Sequence, residues 1–179
     1  MRNLWAPWRQ EFILGRKEKG CIFCKRLTKD DDRKNLILFR GKTAFVILNK
    51  YPYNSGHLMV VPNRHKRDLE ALTAKELTEL MQLTQKCVQV LKKTFKPCGF
   101  NIGFNLGKAA GAGIDDHLHI HIVPRFTGDT NFLPVLGQTK LQSIGLEEVL
   151  DFLTPGFSAK GGSASAGKRA ARAKRAKKP

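Results

Sequence analysis

The chain has 179 residues, 41% of them hydrophobic, which is enough for one domain with a sizeable core and an appendage. No run approaches the roughly 20 consecutive apolar residues that a membrane helix needs, so no membrane span is expected. The formal net charge of +17 is concentrated at one end: residues 158–179 carry eight Lys or Arg and no acid, while the body is only moderately basic.

At the start, Met1–Phe12 (MRNLWAPWRQEF) mixes its apolar residues with Arg2, Pro7, Arg9, Gln10 and Glu11. It lacks the apolar centre of a signal peptide, and a cytoplasmic location is the expectation. In a reducing compartment the four cysteines are not expected to pair as disulfides. Cys21 and Cys24 form a C-x-x-C pair that fits a metal or a redox role, although a thioredoxin-like pair calls for a βαβ setting that is missing here. Cys87 and Cys98 stand alone and read as packing residues. Leu36–Arg40 and Ala44–Leu48, separated by Gly41-Lys42-Thr43, predict a β-hairpin, and His57–Pro62 a third strand ended by Pro62. Thr73 and Glu76 have capping-box spacing and open a long amphipathic helix. Leu77, Leu80, Met81, Thr84, Val88 and Leu91 share one face of it, and Pro97 and Gly99 mark its end. Phe100–Leu106 and Leu118–Pro124 predict two more strands, joined by a glycine-bearing loop from Gly107 to Asp116. A short helix around Leu146–Leu153 closes the domain. The class is α+β: a five-stranded antiparallel sheet covered on one face by one long helix. Residues 158–179 contain nothing apolar larger than Ala and are expected to form a disordered tail. Basic residues at that density bind polyanions by counterion release, so nonspecific nucleic-acid contact stands beside a merely solubilising role.

Three of the five histidines lie in His117-Leu118-His119-Ile120-His121-Ile122-Val123-Pro124. Side chains alternate along a strand, so the three imidazoles line one face while Leu118, Ile120 and Ile122 point to the other. A surface patch or an adventitious metal site is the plainer reading, but an alternating triple is far more specific than a lone histidine. Just upstream, Asn105-Leu106-Gly107-Lys108-Ala109-Ala110-Gly111-Ala112-Gly113 has the glycines that let several backbone N–H groups converge on a phosphate. Many glycine loops are only turns; the neighbouring histidines are what give this one weight. An imidazole nucleophile beside an oxyanion cradle is a site for phosphoryl or nucleotidyl transfer.

HLHIHIVP resembles the His-φ-His-φ-His-φ-φ signature of the histidine-triad (HIT) superfamily. Asn49, Ser55–Pro62, the helix that follows and Asn105–Arg125 keep that family's order. Trp5–Arg9 and Gly128–Phe132 resemble its prokaryotic branch, related to diadenosine tetraphosphate phosphorylases and fragile-histidine-triad hydrolases. The likeness implies a HIT-like fold over residues 1–157, with a zinc-knuckle-like segment at 21–24, and a homodimer with sheets side by side. It also implies that His119 attacks the α-phosphorus of a dinucleoside polyphosphate or related nucleotide conjugate. The resulting nucleotidyl-histidine would be released by water or phosphate, making the chain a hydrolase or a phosphorylase. By the same resemblance, His121 and His57 complete the catalytic cluster, and Asn49 contacts the nucleoside. Asn105, Gly107 and the amides near Gly111 and Gly113 hold the phosphates. Zinc-bearing members imply a structural zinc on Cys21, Cys24, His65 and His117. Many relatives carry Gln or Ser just before the triad, where this chain has Gly111-Ala112-Gly113-Ile114 and no side-chain donor. Backbone amides, Lys108 or Asp115 are the substitutes available. The alternative from another class is a non-catalytic, zinc-stabilised nucleotide-binding protein tethered to nucleic acid by its tail.

Overall fold

A computed structural model describes residues 20–111, 113–129, 142 and 144–158. The Met1–Phe12 segment, Ala112, Thr130–Phe132 and residues 159–179 lie outside the described residues. In chain order the elements are α1 (Ile22–Leu27), β1 (Ile37–Arg40), β2 (Ala44–Leu48), β3 (Leu58–Pro62), a 3₁₀ turn (Leu69–Ala71), α2 (Ala74–Phe95), β4 (Gly99–Phe104), a second 3₁₀ turn (Lys108–Ala110), β5 (Ile120–Arg125) and α3 (Leu146–Ser158). The strands form one five-stranded antiparallel sheet, as expected, and their order in it is β1-β2-β3-β5-β4. No helix among the described residues is long and apolar enough to cross a membrane.

Period-two alternation sorts the strand side chains into two layers. Val46, Leu48, Leu58, Val60, Ile120 and Ile122 join the residues of α2 and α3 in the main core. Ile37, Phe45, Ile47, Met59 and Val61 point the other way and pack with Phe23 of α1. Both faces of the central strands are therefore covered, and every residue of β2 and β3 is buried. The second face also carries His57, His119 and His121, all of them buried.

The predicted capping box at α2 is present. Thr73 Oγ1 accepts from the Glu76 N–H at 3.4 Å, and the Glu76 carboxylate accepts from the Thr73 N–H at 2.8 Å. The buried stripe, however, is Leu80, Leu83, Thr84, Cys87, Val90 and Leu91. Leu77 and Met81, expected on that face, are 38% and 54% exposed. Leu80, Thr84, Cys87 and Leu91 centre the stripe; at 3.6 residues per turn Leu83 and Val90 flank it on one side, where Val90 packs on Gly156 of α3, and Leu77 and Met81 on the other.

Three boundaries also move by more than one residue. β5 starts at Ile120 rather than Leu118, because the Leu118 N–H donates to the Lys66 carbonyl at 2.7 Å, outside the sheet. β4 stops at Phe104, before Leu106. α3 runs through Pro155 to Ser158, its last turn anchored by buried Phe157. The helix α1 had no counterpart among the expected elements.

Candidate active site and metal cluster

The β3–β5 register sets His121 beside Met59, and the β4–β5 register sets it beside Gly103, whose surroundings are open. His57, fully buried immediately before β3, approaches from beside the neighbouring strand: its Nε2 lies 2.9 Å from His121 Nδ1. Backbone groups fix which nitrogen carries each proton. The Tyr53 N–H can only donate, and it points at His57 Nδ1 from 3.1 Å. The Asn49 Nδ2 amide donates to the same nitrogen at 3.2 Å. In neutral His57 the proton is therefore on Nε2 and is donated to His121 Nδ1. His121 in turn keeps its proton on Nε2, which lies 3.5 Å from Asn105 Nδ2; since both are donors, the Asn105 amide accepts that proton only with its Oδ1 turned towards the ring.

His119 is held differently. Its Nδ1 lies 2.9 Å from the His117 carbonyl, which can only accept, so Nδ1 bears the proton and Nε2 keeps a lone pair. The His119 and His121 rings meet edge to face, 4.6 Å apart. One imidazole thus presents a lone pair and its neighbour an N–H. That pairing is what nucleophilic attack on an anionic centre requires.

His117 faces away from this pair. Its Nε2–H donates to the Pro62 carbonyl at 2.9 Å, leaving the Nδ1 lone pair directed at a cluster. Cys21 Sγ lies 3.2 Å from that nitrogen, Cys24 Sγ 3.6 Å and His65 Nδ1 3.2 Å, with Cys24 Sγ 3.5 Å from His65 Nδ1. All four ligand atoms lie within 4.8 Å of one another. Metal–ligand bonds of about 2.0–2.3 Å give tetrahedral edges of roughly 3.3–3.8 Å, close to these separations. Without a cation, burial and then the adjacent Cys21 push the Cys24 thiol up, resisting ionisation. The donor set fits a tetrahedral dication. The predicted ligands are brought together completely.

The supports of this cluster reach into both layers. Phe23 is fully buried, with its ring 5.4 Å from His117 and 5.1 Å from His119. Beside His65, Arg64 Nε and Nη2 each lie 2.6 Å from the Glu76 carboxylate. That guanidinium, and next the Thr73 amide, hold the Glu76 carboxyl at about 2. The loop that carries His65 is thereby clamped to the first turn of α2.

The glycine loop is less completely assembled. Gly107 and Gly111 have φ of 78° and 82°, the left-handed region that glycine enters without a steric penalty. The Gly111 N–H is committed to the Lys108 carbonyl at 3.0 Å. No hydrogen bond among the described residues joins Gly107, Gly111 or Gly113 to the histidines. The Asn49 side chain braces its own loop, its Oδ1 accepting from the Tyr51 N–H at 2.9 Å. Residue-type reasoning missed Phe23, Tyr53 and the carbonyls of Pro62 and His117.

Burial lowers the pKa of His119, and burial followed by the neighbouring His119 takes His121 to about 4. An unfolded histidine titrates near 6.5, so between these values the unfolded chain binds more protons than the folded one. Stability from this group is fully present above pH 6.5 and falls as pH drops towards 4, by as much as about 3 kcal/mol. Urea midpoints from pH 7.5 to 4.5 should decline more steeply for the unaltered chain than for His121→Gln. Parallel curves would contradict this assignment.

The family model described as HIT domain matches residues 31–128. The AP-4-A phosphorylase of Mycobacterium tuberculosis is 40% identical over 149 residues, covering 79% of this chain and 76% of the relative. The asymmetrical bis(5′-nucleosyl)-tetraphosphatase of Schizosaccharomyces pombe is 37% identical over 93 residues, covering 52% of this chain and 50% of that protein. Among solved structures, a Zn-bound histidine triad family protein from Mycobacterium smegmatis shares the fold with a TM-score of 0.62 at 24% identity, over 77% of this chain and 93% of its own.

Proposed function

The chain belongs to the HIT family, and from that premise we propose that it transfers a nucleotidyl group from a dinucleoside polyphosphate, with His119 as nucleophile. The observation that carries this reading is the hydrogen bond from His119 Nδ1–H to the His117 carbonyl, 2.9 Å long, which leaves Nε2 its lone pair. That lone pair forms the N–P bond as the bond from the α-phosphorus to its bridging oxygen breaks. A polyphosphate leaves as an anion and needs no proton from the protein. His121 Nε2–H donates to an oxygen of the transferred phosphate, and His57 keeps His121 in the tautomer that can do so. Asn105 and the backbone around Gly107, Gly111 and Gly113 flank the remaining phosphate oxygens, while Asn49 lies towards the nucleoside. Cys21, Cys24, His65 and His117 would hold zinc, which when bound supplies a structural tie between α1 and the segment before the triad.

For the second half-reaction, inorganic phosphate is the acceptor this reading favours, supported by the Mycobacterium tuberculosis phosphorylase at 40% identity. Incubation with diadenosine tetraphosphate, with and without phosphate, tests it. ADP and ATP formed only when phosphate is present are the expected products. AMP and ATP formed without phosphate would make the chain a hydrolase. Tight nucleotide binding without turnover under either condition would leave a binding protein and end the enzymatic reading.

A further inference from the structure

Along the second face of the sheet the rings run in contact from Phe23 to His119, from His119 to His121, and from His121 to Tyr53. The two aromatic ends of this row differ. Phe23 is fully buried and packed against the histidines, so it offers no surface to a ligand. Tyr53 is 49% exposed, with its ring 4.6 Å from that of His57 and 5.6 Å from that of His121. It is nevertheless held in place. Its N–H is bonded to His57 Nδ1 at 3.1 Å, and the carbonyl of the preceding Pro52 accepts from Gln142 Nε2 at 3.2 Å. A large ring kept half in water on a braced loop, at the mouth of a reaction centre, is a preorganised contact surface.

We propose that Tyr53 is a stacking face for the nucleobase of the leaving nucleotide, selecting dinucleoside polyphosphates over polyphosphates that carry one base. This deepens the function proposed above and rests on it for direction. Nucleophile and leaving group stand roughly in line on opposite sides of the phosphorus. With His121 Nε2–H on the transferred phosphate, His119 attacks from one side of His121, and the leaving chain departs towards the other. There stands Tyr53, which makes no ring contact with His119 among the described residues. Stacking on an aromatic ring tolerates any base. The preference is therefore for the presence of a second base, not for adenine.

The test measures binding in the His119→Ala chain, where no turnover intervenes. Diadenosine tetraphosphate and adenosine 5′-tetraphosphate are titrated calorimetrically, with Tyr53 intact and as Tyr53→Leu and Tyr53→Phe. With Tyr53 the two-base ligand should bind roughly tenfold more tightly or better; leucine should erase that difference and phenylalanine keep it. The leucine variant retains the backbone N–H that orients His57, and an unchanged melting temperature would show that it folds. Equal weakening of both ligands, or no change in their ratio, would overturn the proposal. A chain that discriminates between the ligands but never turns over would refute the transfer reaction and leave the stacking face standing.

Discussion

Replacing His119 with alanine is expected to lower turnover of diadenosine tetraphosphate by about a thousandfold or more, while nucleotide affinity changes only a few-fold. The size of the effect follows from proton placement in the other imidazoles. His121 keeps its proton on Nε2, because its Nδ1 accepts from His57 at 2.9 Å. His57 is committed at both nitrogens, and His117 donates from Nε2 to Pro62 while its Nδ1 faces the cysteines. Of the four buried histidines, His119 alone has a lone-pair nitrogen with no hydrogen bond among the described residues. No neighbour can take over without a change of tautomer that a backbone group opposes. Acid quench and mass analysis should detect a nucleotidyl adduct on the unaltered chain and none on His119→Ala. Retention of a tenth of the activity, or an adduct elsewhere, would move the nucleophile to another residue.

How far the sequence revealed this site depends on whether side chains or backbone build it. The alternation in His117–Val123 was legible, and Leu118, Ile120 and Ile122 do join the main core, although the strand begins only at Ile120 and the His117 ring turns to the cysteines instead of to the other two imidazoles. The four cluster ligands followed from the family resemblance, and the structure gathers them within 4.8 Å. What stayed hidden were the Tyr53 N–H and the Pro62 and His117 carbonyls, since every residue type except proline carries the same donor and all carry the same acceptor. Only tertiary geometry says where such groups point. The helix α1 was hidden for a related reason. Six residues are too few to be helical by propensity, and its support is Phe23, buried in the second cluster. Leu77 and Met81 were misplaced because a sequence pattern gives the period of a helix face more reliably than its rotation. α3 outran its expected end because burial of Phe157 outweighs the local preference of Pro155 and Gly156 to break a helix.

Metal analysis should find about one zinc per chain, and Cys21→Ser should reduce it sharply and lower the melting temperature by about 10 °C or more. Cys98→Ser, at an exposed cysteine outside the cluster, serves as the control and should leave the zinc content unchanged. The consequence for chemistry passes through His117. Its side chain belongs to the cluster, and its carbonyl receives the His119 Nδ1 proton. Once the ring is released, that carbonyl is no longer held, and His119 becomes free to move its proton to Nε2 and lose the lone pair that attacks. Turnover should therefore fall about tenfold in whatever folded fraction survives, although the metal takes part in no step. Nitrogen-15 NMR of the imidazoles separates this effect from simple unfolding: His119 should be almost wholly in the Nδ1–H form with zinc and a mixture of tautomers without it. A zinc-free chain that melts at the same temperature, with His119 still in one tautomer, would mean that the cysteines are packed thiols and that the Phe23 and Pro62 contacts alone orient the nucleophile.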